Sequence, residues 1–177
     1  MEFKKIQLNG FKSFAEKTNF LIEDGLTGIV GPNGCGKSNI VESLRWAMGE
    51  TSAKSMRGSG MEDVIFNGTS NKSSKNIAEV SIIVDNTNHE GPLQYKDMSQ
   101  IEVRRKIEKD KGSKFYINNK EVRARDAQMF FADLSTGAHS PSMISQGRIG
   151  ALVTAKPTDR RAILEEAANI SGLHVRR

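Results

Sequence analysis

Cysteine is all but missing from the sequence. The one residue of that kind, Cys35, excludes an internal disulfide framework and any multi-cysteine metal site. The three histidines, His89, His139 and His174, share no ligand-like spacing, so a zinc site is not expected and no role is assigned to them. Nowhere do the roughly 18 uninterrupted apolar residues of a transmembrane helix occur. The opening stretch MEFKKIQLNGFKSF carries charge but no apolar core of a secretory leader. Runs of five or six like charges are absent, as are internal repeats and low-complexity tracts. Together these absences set the expectation of a soluble chain in a reducing, cytoplasmic setting with no membrane partner.

What is present describes an ordinary folded unit. At roughly 100–200 residues per domain, 177 residues make one domain, or one and a fragment. A hydrophobic content of 37% with 27% charged residues is too apolar for a disordered chain. The formal net charge of +5 is spread evenly, so it permits contact with nucleic acid without demonstrating it.

Periodicity places the elements. Ile6 and Leu8 alternate with Lys5, Gln7 and Asn9, which predicts an opening strand. Residues 19–23 read as a second strand, Asp24-Gly25 as a turn, and residues 26–30 (LTGIV) as a short buried strand. Over residues 37–48 the apolar positions Ile40, Val41, Leu44, Ala47 and Met48 predict an amphipathic helix that stops at Gly49. A polar loop follows over residues 51–60, then a short strand at 64–66, a second polar loop and a β-rich run at 77–84. Residues 101–107 alternate cleanly and place Arg105 on the apolar side. Asp110-Lys111-Gly112 then turns them into a hairpin with residues 114–117. Residues 121–134 suit a helix, residues 135–147 a loop around Pro141, and residues 157–170 a last helix opened by Pro157.

Residues 31–38, GPNGCGKS, fit G-x-x-x-x-G-K-[ST] through Gly31, Gly36, Lys37 and Ser38. Glycines let backbone N–H groups approach phosphate oxygens. Lys37 supplies a point charge to the β- and γ-phosphates, and the Ser38 hydroxyl is a hard oxygen ligand for Mg²⁺. The helix that follows directs its positive end at the same phosphates. The motif lies between a predicted strand and a predicted amphipathic helix, as its mechanism requires, so nucleotide binding is expected.

Hydrolysis also needs a carboxylate for Mg²⁺ and a group that orients water. Asp85 ends the apolar run Ile82-Ile83-Val84, and Asp133 ends another, Met129 to Ala132, that is better explained as a helix face. Leu134-Ser135-Thr136-Gly137 half resembles an LSGG-type signature, and no N-K-x-D guanine motif occurs. Gln146 follows a loop where it could coordinate Mg²⁺ or position water. Arg57, in another loop, could reach a phosphate or DNA. A self-contained phosphotransferase using Asp85 for Mg²⁺ is one alternative reading. A non-catalytic DNA-binding module using Arg57, Arg104, Arg105, Lys106, Arg123 and Arg125 is another.

Five segments in order, FKSFAEKTNF, GIVGPNGCGKSNIVESLRWAMGE, KSMRGSGMEDVIFNG, SQGRI and RRAILEEAANISGLHVRR, resemble bacterial structural maintenance of chromosomes (SMC) proteins, over essentially the whole chain. The resemblance is to the N-terminal half of an ABC-type ATPase head. It implies an α/β P-loop NTPase lobe with a mixed sheet and an antiparallel β subdomain. Residues 1–156 would form the lobe, from P-loop to Q-loop, and residues 157–177 the last head helix and the start of a coiled-coil neck. The cofactors implied are ATP and Mg²⁺. Pro32, Asn33, Gly34, Cys35, Gly36, Lys37, Ser38 and Asn39 would contact ATP, with Lys12 and Ser13 as additional nucleotide-side contacts. Ser38 and Gln146 would ligate the metal. Lys37, Gln146 and Arg57 would be the catalytic residues, Arg57 as a nucleotide-sensing arginine. The implied partners are the C-terminal half of the head, a second SMC head in a homodimer, a kleisin-type subunit, and DNA bound without sequence preference, in a nucleoid-associated setting. Asp85 and the LSTG segment then become decoys, because the Walker B carboxylates and the signature motif of such proteins lie in the C-terminal half. Two positions depart from the family pattern: Asn169 and Ser145 both stand where glycine is usual.

Overall fold

A computed structural model describes residues 1–134, 153–158 and 160–161. Six strands, β1 (Glu2–Asn9), β2 (Thr18–Leu21), β3 (Ile77–Asp85), β4 (Gln100–Glu108), β5 (Gly112–Ile117) and β6 (Lys120–Val122), form one sheet in the order β2-β1-β3-β4-β5-β6. Every pairing in it is antiparallel. Two helices accompany the sheet, α1 (Lys37–Ala47) between β2 and β3, and α2 (Ala124–Asp133) after β6. The α/β character expected from the sequence is present. The expected antiparallel β structure is there, whereas no parallel pair of the expected mixed sheet occurs among the described residues.

Register places one residue set on the inner face. Ile6 pairs with Ile82 and Leu8 with Val80. Ile82 pairs with Val103, Val80 with Arg105 and Ala78 with Ile107. Val103 then pairs with Ile117, and Arg105 with Phe115. All of these are buried, together with Trp46 and Met48 from the α1 end and Ala127, Phe130 and Phe131 from α2. Alternation at period two thus sends one apolar set inward, while Glu102, Arg104 and Lys106 take the other face, as the hairpin pattern predicts.

The exception to the apolar face is Arg105, and its surroundings explain it. The guanidinium lies 4.6 Å from the Trp46 ring centroid and 4.7 Å from that of Phe115. Its Nη1 donates to the carbonyls of Trp46 (2.8 Å) and Glu50 (2.6 Å), at and just beyond the C-terminal end of α1. A helix end carries unsatisfied carbonyls and partial negative charge, and a cation donating hydrogen bonds answers both. Burial pulls the Arg105 pKa down to about 10, against the opposing influence of the Glu50 carboxylate. Gly49, at φ +107°, ends the helix as expected. A Cβ there would meet Gln128 Cγ at 2.4 Å, and Gln128 donates to the Gly49 carbonyl (2.8 Å), tying α2 to the end of α1.

Three expectations are corrected. Residues 26–30 form no strand and are exposed throughout. Residues 64–66 contribute only a single bridge, Ile65 to Phe11, after a 3₁₀ turn at Met61–Val64. Helix α2 does not begin at residue 121. Residues 120–122 instead return as β6 through a two-residue hairpin turn at Asn118 and Asn119, with φ of 46° and 65°. Asparagine tolerates the left-handed conformation that such a turn requires at both positions. The opening of the last expected helix is present, with the Arg160 N–H donating to Lys156 O (3.1 Å). Its continuation, Gln146, Ser145, Asn169, His139, His174, Pro141 and the Ser135–Gly137 part of the LSTG segment lie outside the described residues.

Candidate nucleotide-binding site

The phosphate-binding loop feeds directly into α1. Gly36 takes the N-cap position at φ +92°, where it offers no side-chain cap to the first helical N–H groups. A Cβ at Gly36 would meet Ser13 Oγ at 2.6 Å, so glycine is needed for both conformation and space. Lys37 folds back over the loop, its Nζ donating to the carbonyls of Gly31 (2.5 Å) and Pro32 (2.6 Å). Cys35 is exposed, with Sγ 3.8 Å from the same ammonium group. Ser38 stands exposed on the first turn of α1, and Pro32, Asn33 and Gly34 are exposed along the loop. An uncapped helix N-terminus behind a glycine turn, with a lysine over its mouth, fits the chemistry of a phosphate ligand.

The segment from Gly10 to Phe14 comes against the start of α1 through hydrogen bonds. Asn39 Nδ2 donates to Ser13 Oγ (2.8 Å), and Arg57 Nη2 donates to Asn39 Oδ1 (3.0 Å). Lys12 Nζ donates to Met56 O (2.5 Å) and forms an ion pair with Glu42, whose other carboxylate oxygen pairs with Arg57 Nε. Lys12, Ser13, Asn39 and Arg57, separate in sequence, therefore stand together beside the loop. Behind Arg57 the chain turns on Asp63. The N–H groups of Gly60 (2.9 Å) and Ser59 (2.7 Å) donate to its Oδ2 and hold the carboxyl below the usual carboxylate range.

Sequence reasoning missed Glu42. The helix seam expected at Ile40, Val41, Leu44, Ala47 and Met48 is shifted. Val41 and Leu44 are only partly buried, while Glu42, Ser43 and Trp46 are buried. The available signal was spacing: Glu42 follows Ser38 by four residues and so stands one turn behind it on the same helix face.

Two alternatives lose their footing. Asp85 pairs with Glu2 at the far end of β1, whereas Lys12 follows Asn9, which pairs with Glu79. Those two positions on β3 are about 20 Å apart along the strand. Asp85 accepts the Thr87 N–H (2.8 Å), which lowers its pKa and commits it to a local turn. Arg105 is buried, so the basic patch of the DNA-module reading lacks its middle member. Among the described residues no cluster of His, Cys, Asp and Glu is arranged to hold a metal ion, and no helix is long and apolar enough to cross a membrane.

A glycine-turned loop opening a helix, set beside an antiparallel sheet, defines a P-loop nucleotide-binding lobe. The chain belongs to the RecF/RecN/SMC N-terminal domain family, whose model matches residues 2–148. It is 55% identical over 177 residues to the chromosome partition protein Smc of Cereibacter sphaeroides and spans 15% of that protein's length. An SMC ATPase structure described in terms of ATP-driven dimerization and DNA-stimulated activation superposes with a TM-score of 0.83 at 29% identity, over 94% of this chain and 99% of that one. The Smc head domain of Pyrococcus furiosus, with an extended coiled coil and bound to the C-terminal domain of ScpA, superposes with a TM-score of 0.88 at 28% identity, over 98% of this chain and 43% of that one.

Proposed function

We propose that this chain is the ATP-binding N-terminal lobe of an SMC-type chromosome-partition ATPase. The observation that carries the reading is the convergence of Lys12, Ser13, Asn39 and Arg57 on the start of the helix that Gly36 and Lys37 open. Residues 32–39 would cradle the phosphates, Lys37 would neutralise their charge, and Lys12, Ser13 and Arg57 would approach from the side. Ser38 would hold Mg²⁺ together with Gln146, and the metal would supply charge neutralisation for phosphoryl transfer.

Within this reading the lobe, residues 1–156, acts with a C-terminal half that brings the Walker B carboxylates, and residues 157–177 lead into a coiled-coil neck. A second head, a kleisin-type subunit and non-specifically bound DNA complete the assembly, in a nucleoid-associated, cytoplasmic setting. The P. furiosus head bound to a domain of ScpA and the SMC ATPase with ATP-driven dimerization support those partners. The Walker B carboxylates and the signature motif would come from outside this lobe, so the chain alone would turn over ATP negligibly.

Lys37→Ala tests the reading. It is expected to lower ATP affinity at least tenfold with little change in thermal unfolding, because among the described residues Lys37 donates only to loop carbonyls and the Cys35 sulfur. Unchanged affinity would remove the nucleotide-binding assignment. Robust turnover by the 177-residue chain, abolished by the same substitution, would remove the half-site assignment.

A further inference from the structure

We infer that Glu42 is a positioning residue for the loop, its carboxylate aligning Lys12 and Arg57 for a bound triphosphate. This rests on the nucleotide-binding reading above and adds a residue to it. Glu42 stands on α1 one turn behind Ser38, with its side chain 11% exposed. A buried carboxylate needs partners, and this one has a cation on each oxygen, Lys12 on Oε2 and Arg57 on Oε1. The pair together overcompensates its charge, leaving the cluster net positive toward the loop.

Backbone conformation supplies an independent observation. Lys12 and Arg57 both lie at left-handed φ, 46° and 55°. Such conformations are unfavourable for residues with a side chain and persist where the surroundings hold them. Here the two strained cations come from segments far apart in sequence and meet on the same carboxylate. Arg57 also donates to Asn39 in the first turn of α1, so the guanidinium is fixed at two points against the helix that the loop opens. With the arginine side chain 59% exposed, solvent would otherwise leave it free to sample many rotamers. The carboxylate thus removes a search that ligand binding would have to complete.

The test is a fluorescence titration of the full chain with a fluorescent ATP analogue and Mg²⁺. Glu42→Gln keeps the side-chain shape and is expected to weaken binding about tenfold, matching Arg57→Ala. Adding Glu42→Gln to Arg57→Ala is expected to cost no more than about threefold further, because with Arg57 gone the carboxylate has Lys12 alone of the two cations left to align. Wild-type or tighter binding by Glu42→Gln, or losses that multiply in the double variant, would overturn the proposal. Ser43→Ala is the structural control, since Ser43 is buried next door and its hydroxyl donates to Ile40 O (2.7 Å). It is expected to bind like the wild type, and an affinity loss equal to that of Glu42→Gln would make the effect one of helix integrity and overturn the proposal. Should Glu42→Gln not fold, Arg57→Lys serves instead. It keeps the charge but loses the two-point fork, so wild-type affinity there would also overturn the assignment. Equal, negligible binding by wild type and Lys37→Ala would mark failure of the underlying nucleotide reading rather than of the positioning role.

Discussion

The six-stranded sheet and the approach to the phosphate loop treat β-type sequence in opposite ways. Over β3, Ala78, Val80, Ile82 and Val84 are buried between two neighbouring strands. Residues 26–30 have a comparable apolar content, yet Leu26 is 100% exposed and Val30 94%. Strand propensity measures how a side chain packs on neighbours, so it has no effect where neighbours are missing. Among the described residues no strand lies beside 26–30. The strands of the sheet cover one another, whereas among the described residues nothing covers the segment that leads into the loop. The same division runs through the charged residues. Arg105 serves the fold at the end of α1, while Lys12 and Arg57 meet on Glu42 beside the loop.

Substitutions in the sheet are expected to have the largest effect on unfolding. Ile82→Ala empties a position between Ile6 and Val103, and should cost about 4 kcal/mol by chemical denaturation, from lost apolar burial and a residual cavity. Arg105→Met keeps most of the volume between Trp46 and Phe115 but removes the guanidinium that donates to the Trp46 and Glu50 carbonyls. A cost of about 3 kcal/mol is expected, measured in the same way. A cost below about 1 kcal/mol for Arg105→Met would mean that apolar packing, rather than helix capping, keeps this arginine on the inner face.

The sheet was largely legible because its signal is local. The alternation of residues 101–107 gave the inner and outer faces of β4, including the inward position of Arg105, though not its task, which depends on a helix more than fifty residues away. Strand β6 was missed because Lys120 to Val122 is too short to show a period, and because the Asn118-Asn119 turn was not read as a hairpin signal. The glycine turn that opens α1 was legible because Gly31, Gly36, Lys37 and Ser38 stand at the fixed spacing of a phosphate-loop motif. Glu42 was not. Hydrophobic periodicity treats a buried, doubly paired carboxylate as an interruption of the seam, and only the folded positions of Lys12 and Arg57 show why it is there. The strand expected at residues 26–30 did not form, because an apolar run makes a strand only where a neighbouring strand pairs with it, and none does among the described residues.

The smallest expected effect on the fold makes the sharpest use of the contrast. Leu26→Ser with Val30→Ser removes two exposed apolar side chains, so the stability of this chain should change by less than about 0.5 kcal/mol. A loss above about 1.5 kcal/mol would mean that the segment packs against the lobe, and the contrast with β3 would collapse. If the C-terminal half of the proposed head covers this segment, the same two residues would be buried there. Burying each would contribute about 2 kcal/mol, so the double substitution should weaken association with that half by roughly a thousandfold. A co-purification or titration with the C-terminal half reads that number directly. Ile82→Ala should give the opposite profile, unfolding the lobe more readily while leaving the association of its folded fraction close to that of the wild type, because Ile82 faces the lobe's own core.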